Sequence, residues 1–136
     1  MGTRVQSNPM NVLSMVAGAD LSSSQYYAVQ IDADPREVKV AGTPAAEGTH
    51  VLGVLQNKPV EGAEASVATA GTSRLVMAAN CDVGEKIMSS SGKGTPADAD
   101  QKSVIGIALT ANVSGDGGVI EILITPGGVS QANESN

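Results

Sequence analysis

His50 is the only histidine and Cys81 the only cysteine in this chain of 136 residues, and together they could in principle form a thiol–imidazole nucleophile. Such a pair needs the two side chains adjacent and a third group, for which Asp82 is the obvious neighbour, to orient the imidazole. Nothing in the spacing of 50 and 81 requires that adjacency. A lone histidine at the start of a strand is ordinarily structural, and no catalytic residue is expected.

The stretch "SGKGT" at 91–95 invites comparison with a phosphate-cradling loop. That motif needs a glycine five positions before the Gly-Lys pair, where Ile87 stands, and a following helix. The acidic pairs Asp32/Asp34 and Asp98/Asp100 each offer two carboxylates. A calcium loop takes six or more oxygens at defined spacing, and a zinc site takes three or four ligands drawn chiefly from histidine and cysteine, of which this chain has one each. The sequence therefore implies no metal and no cofactor. The triplets "NVS" at 112 and "NES" at 133 fit a glycosylation acceptor, which has meaning only in a secreted chain.

Composition narrows the partners. The formal net charge is −6, and the eight basic residues are scattered singly among 14 acidic ones, with no tryptophan, no phenylalanine and two tyrosines. Nucleic-acid binding rests on clustered cations and stacking aromatics, so no nucleic acid is expected; an anionic membrane surface is excluded on the same ground. The apolar run "VLSMVAGA" at 12–19 lacks a basic start and is far shorter than the roughly 20 residues of a membrane span. One cysteine excludes an internal disulfide framework.

The elements that would position any site are strands. "QYYAVQID" at 25–32 alternates so that Tyr27, Val29 and Ile31 share a face, Asp34-Pro35 turns the chain, and "EVKV" returns with Val38 and Val40 inward. Further strands are expected at 50–56, 64–69, 73–79, 84–90, 104–110 and 119–125, about eight in all. Along the last, Ile120, Ile122 and Ile124 face opposite to Val119, Glu121 and Leu123. The polar stretch 90–103 is expected to be an exposed loop. No segment carries a helical stripe. The pattern predicts an all-β fold, a small barrel or sandwich, with three parts: an N-terminal arm at 1–20, a single β-domain at 21–126 and a flexible tail at 127–136. Met10, Val12, Leu13, Met15 and Val16 give the arm more apolar surface than a solubilising tail needs. They are expected to dock on a partner, the alternative being an edge strand of the same domain.

An internal repeat is visible at an offset of 53. Val51-Leu52-Gly53-Val54 falls on Val104-Ile105-Gly106-Ile107, Val60-Glu61-Gly62 on Val113-Ser114-Gly115, and Val67 on Ile120. The duplicated strand–Gly–strand units lie near 50–70 and 103–125. Gly53 and Gly106 are expected where another backbone comes close, with Gly62 and Gly115 in the returning turns.

The order of "EGTHVLGVLQNKPVEGAEASVATAGTSRLVMA", "VGEKIMSSSGKGT" and "VIGIALTANVSGDGGVIEILI" resembles the small capsid decoration, or cement, proteins of tailed bacteriophages. The resemblance spans roughly residues 20–126. It implies a structural virion protein, not an enzyme, that binds the major capsid protein on the outer surface of an expanded head, commonly as a homotrimer, and stabilises the shell. On that reading the arm residues named above are capsid contacts. Another phage structural or oligomeric β-module, from a tail or a surface-binding domain, is the alternative, with a small enzyme behind it.

Overall fold

The computed structural model describes residues 10–42, 50–97, 102–125 and 129–130. The fold is all-β. Its strands are β1 (Asn11–Ala17), β2 (Ala28–Ile31), β3 (Glu37–Val40), β4 (Gly53–Leu55), β5 (Glu64–Val76), β6 (Lys86–Ser90), β7 (Lys93–Pro96), β8 (Lys102–Ala108), β9 (Val119–Ile124) and β10 (Val129–Ser130). The hydrogen-bonded order is β1-β3-β2-β4-β5-β9-β8-β6-β7, with β10 on β8 and a further ladder between β1 and β5.

That further ladder closes a ring. β1 pairs with β3, β3 with β2, β2 with β4, β4 with β5, and β5 returns to β1 from Val16↔Glu64 to Asn11↔Ala70. Met15, Ala17, Leu21, Val29, Val38, Leu55, Ala65 and Val67 fill its interior. The second half of β5 then begins a second ring through β9, β8, β6 and β7, closed by the parallel bridge Met77↔Gly94. Both rings are small and irregular, and closure removes most free edges.

The two rings are copies. Every ladder of the first has its counterpart in the second: Met15↔Ala65 in Leu75↔Ile120, Val29↔Gly53 in Ile87↔Gly106, Leu55↔Val67 in Ala108↔Ile122, Val29↔Val40 in Ile87↔Pro96, and Ala17↔Val38 in Met77↔Gly94. Interior volume is exchanged between partners. Small Ala17 faces Val38 in the first ring, whereas long Met77 faces Gly94 in the second, where an added Cβ would meet Met77 Sδ and Leu75 Cδ2. Native packing density leaves no room for two large residues at that bridge.

The duplication is thus larger than the sequence offset of 53 suggests, and its register differs in the returning strand. An added Cβ on Gly53 would meet the Ala68 carbonyl oxygen and Val67 Cγ1; on Gly106 it would meet the Leu123 oxygen and Ile122 Cγ1. Val67 therefore corresponds to Ile122 and not to Ile120. Turn hydrogen bonds agree, since Gly62 N donates to Ala17 O at 2.8 Å and Gly117 N to Met77 O at 2.8 Å. Gly62 (φ 86°) matches Gly117 (φ 94°), while Gly115, also at positive φ, opens the turn that Val60 opens in the first ring. The second copy has gained two residues around Val113-Ser114. An insertion of two keeps every side chain on its own face of the sheet, so the hydrophobic pattern alone does not reveal it.

Other expectations change as well. The strands expected at 64–69 and 73–79 are one, because Gly71 at φ 92° bends the chain without ending it. The expected loop at 90–103 contains β7. Ser91 and Gly92, both at positive φ, make the two-residue turn that lets Lys93–Pro96 pair back on β6. Of the segment expected as an arm, Asn11–Ala17 is β1, with Met15 and Ala17 in the core; residues 1–9 lie outside the described residues. In the expected tail, Val129–Ser130 pairs with Lys102 and Ser103 of β8, and 131–136 lie outside the description.

Gly106→Ala drives a methyl into the Leu123 carbonyl, whereas Gly117→Ala meets open space and strains only the backbone. Overpacking of a tight site costs about 1–3 kcal/mol, and a positive-φ alanine about 1–3 kcal/mol. Urea unfolding is expected to show both variants destabilised, and Gly106→Ser no better than Gly106→Ala.

Candidate functional site

The sequence candidates for chemistry disperse in the structure. His50 is exposed before β4. Cys81 is buried in the second ring's core with Leu75, Met77 and Ile87, where its backbone exchanges hydrogen bonds with Asn112 at 3.0 Å in each direction. It occupies the place that Leu21 holds in the first ring, each closing onto the loop before the returning turn (Leu21 N to Pro59 O, 2.8 Å). Burial pushes its thiol pKa up, with Glu85 and Asp82 adding to the shift, against the lowering effect of the hydrogen bond with Asn112. A thiol held protonated in an apolar site is a core side chain, not a nucleophile. Asp82 N donates to Glu85 Oε1 at 2.8 Å, so Asp82 belongs to the turn before β6.

Lys93, the lysine of "SGKGT", forms a 2.7 Å ion pair with Asp116 across the second ring, and that hydrogen bond raises its pKa. Gly92 lies against Val40, Tyr27 and the Ala28 carbonyl, leaving no cradle for a phosphate. Asp32 accepts from Ala33 N at 2.7 Å and lies 3.9 Å from Lys39 Nζ, the arrangement of a solvated turn. Asp98 and Asp100 lie outside the described residues. Among the described residues no group of three or more His, Cys, Asp or Glu could hold a metal ion.

Buried polar groups serve the turns. Asn112, 4% exposed, donates from Nδ2 to Ala79 O (2.8 Å) and Gly115 O (3.0 Å) and accepts from Ser114 N (3.2 Å). Gly115 N donates to Asn80 Oδ1 at 2.8 Å. These bonds hold the two-residue insertion, and a fully satisfied network of this kind specifies a loop shape. An open depression of about 460 Å³ is lined by Thr72, Ser73, Arg74, Val119, Ile120 and Glu121.

What the surface does display is apolar. Met10, Val12 and Leu13 before and along β1 are exposed, whereas Met15 points into the core and Val16 is half-buried. Ile31, Val60, Val83, Leu109, Val113, Val119 and Leu123 are exposed as well. The sequence marked the β1 strip but not Ile31, Leu109 or Leu123. The opposite-facing assignment of Leu123 was the available signal, and it lacked only the knowledge that nothing among the described residues covers that face.

The described residues thus form a duplicated pair of small β-rings with apolar side chains exposed on their outer faces. No family model matches the chain, and no curated protein matches it. Among solved structures it is similar to the crystal structure of the head fiber gp8.5 N base in bacteriophage phi29, with a TM-score of 0.61 at 16% identity, covering 86% of this chain and 95% of that one. The two share a fold.

Because Cys81 is buried and its thiol is held protonated, a thiol reagent at neutral pH is expected to label the native protein far more slowly than the protein in denaturant. Rapid stoichiometric labelling of the native form would contradict this placement.

Proposed function

We propose that the chain is a structural protein of a tailed-phage virion, located on the outer surface of the capsid, where it binds the major capsid protein and stabilises the expanded head as a self-associated oligomer, a homotrimer. The observation that carries this reading is the shared fold, over 86% of the chain, with a protein described as the base of a phage head fiber. The net charge of −6 supports a position outside the shell, away from packaged DNA. A shell repeats each contact many times, so a modest free energy per site accumulates into resistance to rupture. The neighbour's description also favours a second reading, a fibre base that docks on the head in the same way and carries a further element outward.

Of the residues expected to meet the capsid, Met15 is withdrawn from the proposal because it fills the first ring's core. Met10, Val12 and Leu13 are exposed and Val16 is half-buried.

The test uses heads of the virus that carries this gene, prepared without its product. Added back, the full chain is expected to sediment with expanded heads to a fixed saturating ratio, to appear as regular density on the outer face, and to raise the temperature at which the heads release DNA. Failure to bind such heads, or binding to tails only, would overturn the reading.

A further inference from the structure

The joint between the two rings shows what covers a ring's outer face. In the first ring the cross-strand row Ala28–Val54–Ala68 is fully buried, and it is covered by the second ring's core. Its counterpart in the second ring is the row Lys86–Ile107–Leu123, at the same ladder positions of β6, β8 and β9. Nothing in the described chain covers that row. Leu123 is 36% exposed and the neighbouring Leu109 40%.

The covering surface has a counterpart too. Around the buried row, the rim of the joint is carried by Ser73 and Val76 on β5 and by the β6–β7 turn. Gln56 Nε2 donates to Ser73 Oγ (2.8 Å), Val76 N to Tyr26 O (3.0 Å), Ala28 N to Gly92 O (2.7 Å) and Ser89 Oγ to Ala41 O (3.4 Å). The matching positions in the first ring are Leu13 and Val16 on β1, with the β2–β3 turn from Ile31 to Arg36. Leu13 is 43% exposed and Ile31 47%. Among the described residues, the rim positions of both halves of the joint that the chain makes once inside itself are therefore left exposed, Leu13 and Ile31 on one half and Leu109 and Leu123 on the other.

The residues at those halves are matched to each other. Where the internal joint sets Gln56 against Ser73, both polar, these halves offer Leu109 and Leu13, both apolar. Where it sets Tyr27 against Gly92, they offer Glu85 and Arg36, of opposite charge. Paired exchanges of this kind are what a contact between those positions requires, since an apolar residue opposite an amide or an unmatched charge would weaken it.

We infer that a second copy of this chain docks its β1 face and β2–β3 turn onto the β6–β8–β9 face of the first, repeating the internal joint between molecules. The two surfaces differ, so the contact is head-to-tail, and its rotation closes a cycle when copies return to the start. At the joint the end of β9 in one copy, Ile124–Thr125, lies beside the start of β1 in the next, where inside the chain β5 runs on through Ala70 and Gly71. Met10, Val12 and Leu13 are thereby assigned to a neighbouring copy and not to the capsid. This inference rests on the self-association in the proposed function and is independent of head binding.

The test is made on the free full-length protein, without heads. Light scattering is expected to give an integral multiple of the 13.6 kDa chain mass, and Leu109→Glu to lower it to a single chain with the strand circular dichroism unchanged. Under mild oxidation, Leu13→Cys combined with Leu109→Cys is expected to give covalent dimers and higher species, while neither single variant does. Arg36→Glu and Glu85→Arg should each weaken association and restore it when combined. A wild-type monomer at high concentration, or a cross-link formed by Leu13→Cys alone, would overturn the inference. A monomer that still saturates heads would overturn it and leave the proposed function standing; an oligomer that ignores heads would do the reverse.

Discussion

The molecule depends on one strand belonging to two rings. β5 pairs through its first half with β1 and β4 and through its second half with β9, and Gly71 at φ 92° is where it changes partners. A chain with no phenylalanine or tryptophan, whose cores are built from alanine, valine, leucine, isoleucine and methionine, buries little area in either ring alone. Sharing a strand removes an edge from each ring, and the buried row Ala28–Val54–Ala68 becomes part of the second ring's core instead of surface. The joint is accordingly the strongest architectural commitment in the fold.

Backbone demands recur in both rings while the residues that meet them differ. Tyr26 (φ 68°) and Arg36 (φ 66°) stand where the second ring has Gly84 (φ 90°) and Gly92 (φ 89°). Glycine takes this conformation freely, and a side chain there carries strain. In the first ring the strain has a visible return at one of the two. The Tyr26 ring lies 5.9 Å from the Arg74 guanidinium across the joint, a contact glycine could not make. Arg36 reaches the Ser14 carbonyl on β1 and so ties the turn to the strand beside it.

Residue chemistry follows the same division between interior and outer face. Cys81 is a core residue in a position where the first ring uses leucine, and Lys93 closes on Asp116 instead of offering a free cation. What distinguishes the rings is their outer surface: alanine and valine where the joint covers it, lysine, isoleucine and leucine where it does not.

Local pattern determined much of this. Period-2 alternation assigned the faces of β3 and β9, each with one side in a core and one side out, and located β2, where Ala28 and Val29 are instead both buried and Ile31, expected beside Val29, is exposed; the isolated glycines of β4 and β8 marked where a neighbouring backbone comes close. Tertiary structure alone decided the rest. The register of the repeat shifted by two, invisible to a pattern whose period is two; β7 followed a Ser-Gly turn inside a stretch too polar to stand out; and β1 gained its place only from partners fifty residues away on β5. Above all, exposure is not a property of a residue type. Ala68 and Leu123 occupy equivalent positions, and the larger apolar side chain is the exposed one, because the face that covers Ala68 is supplied by the second ring and nothing within the described chain covers Leu123.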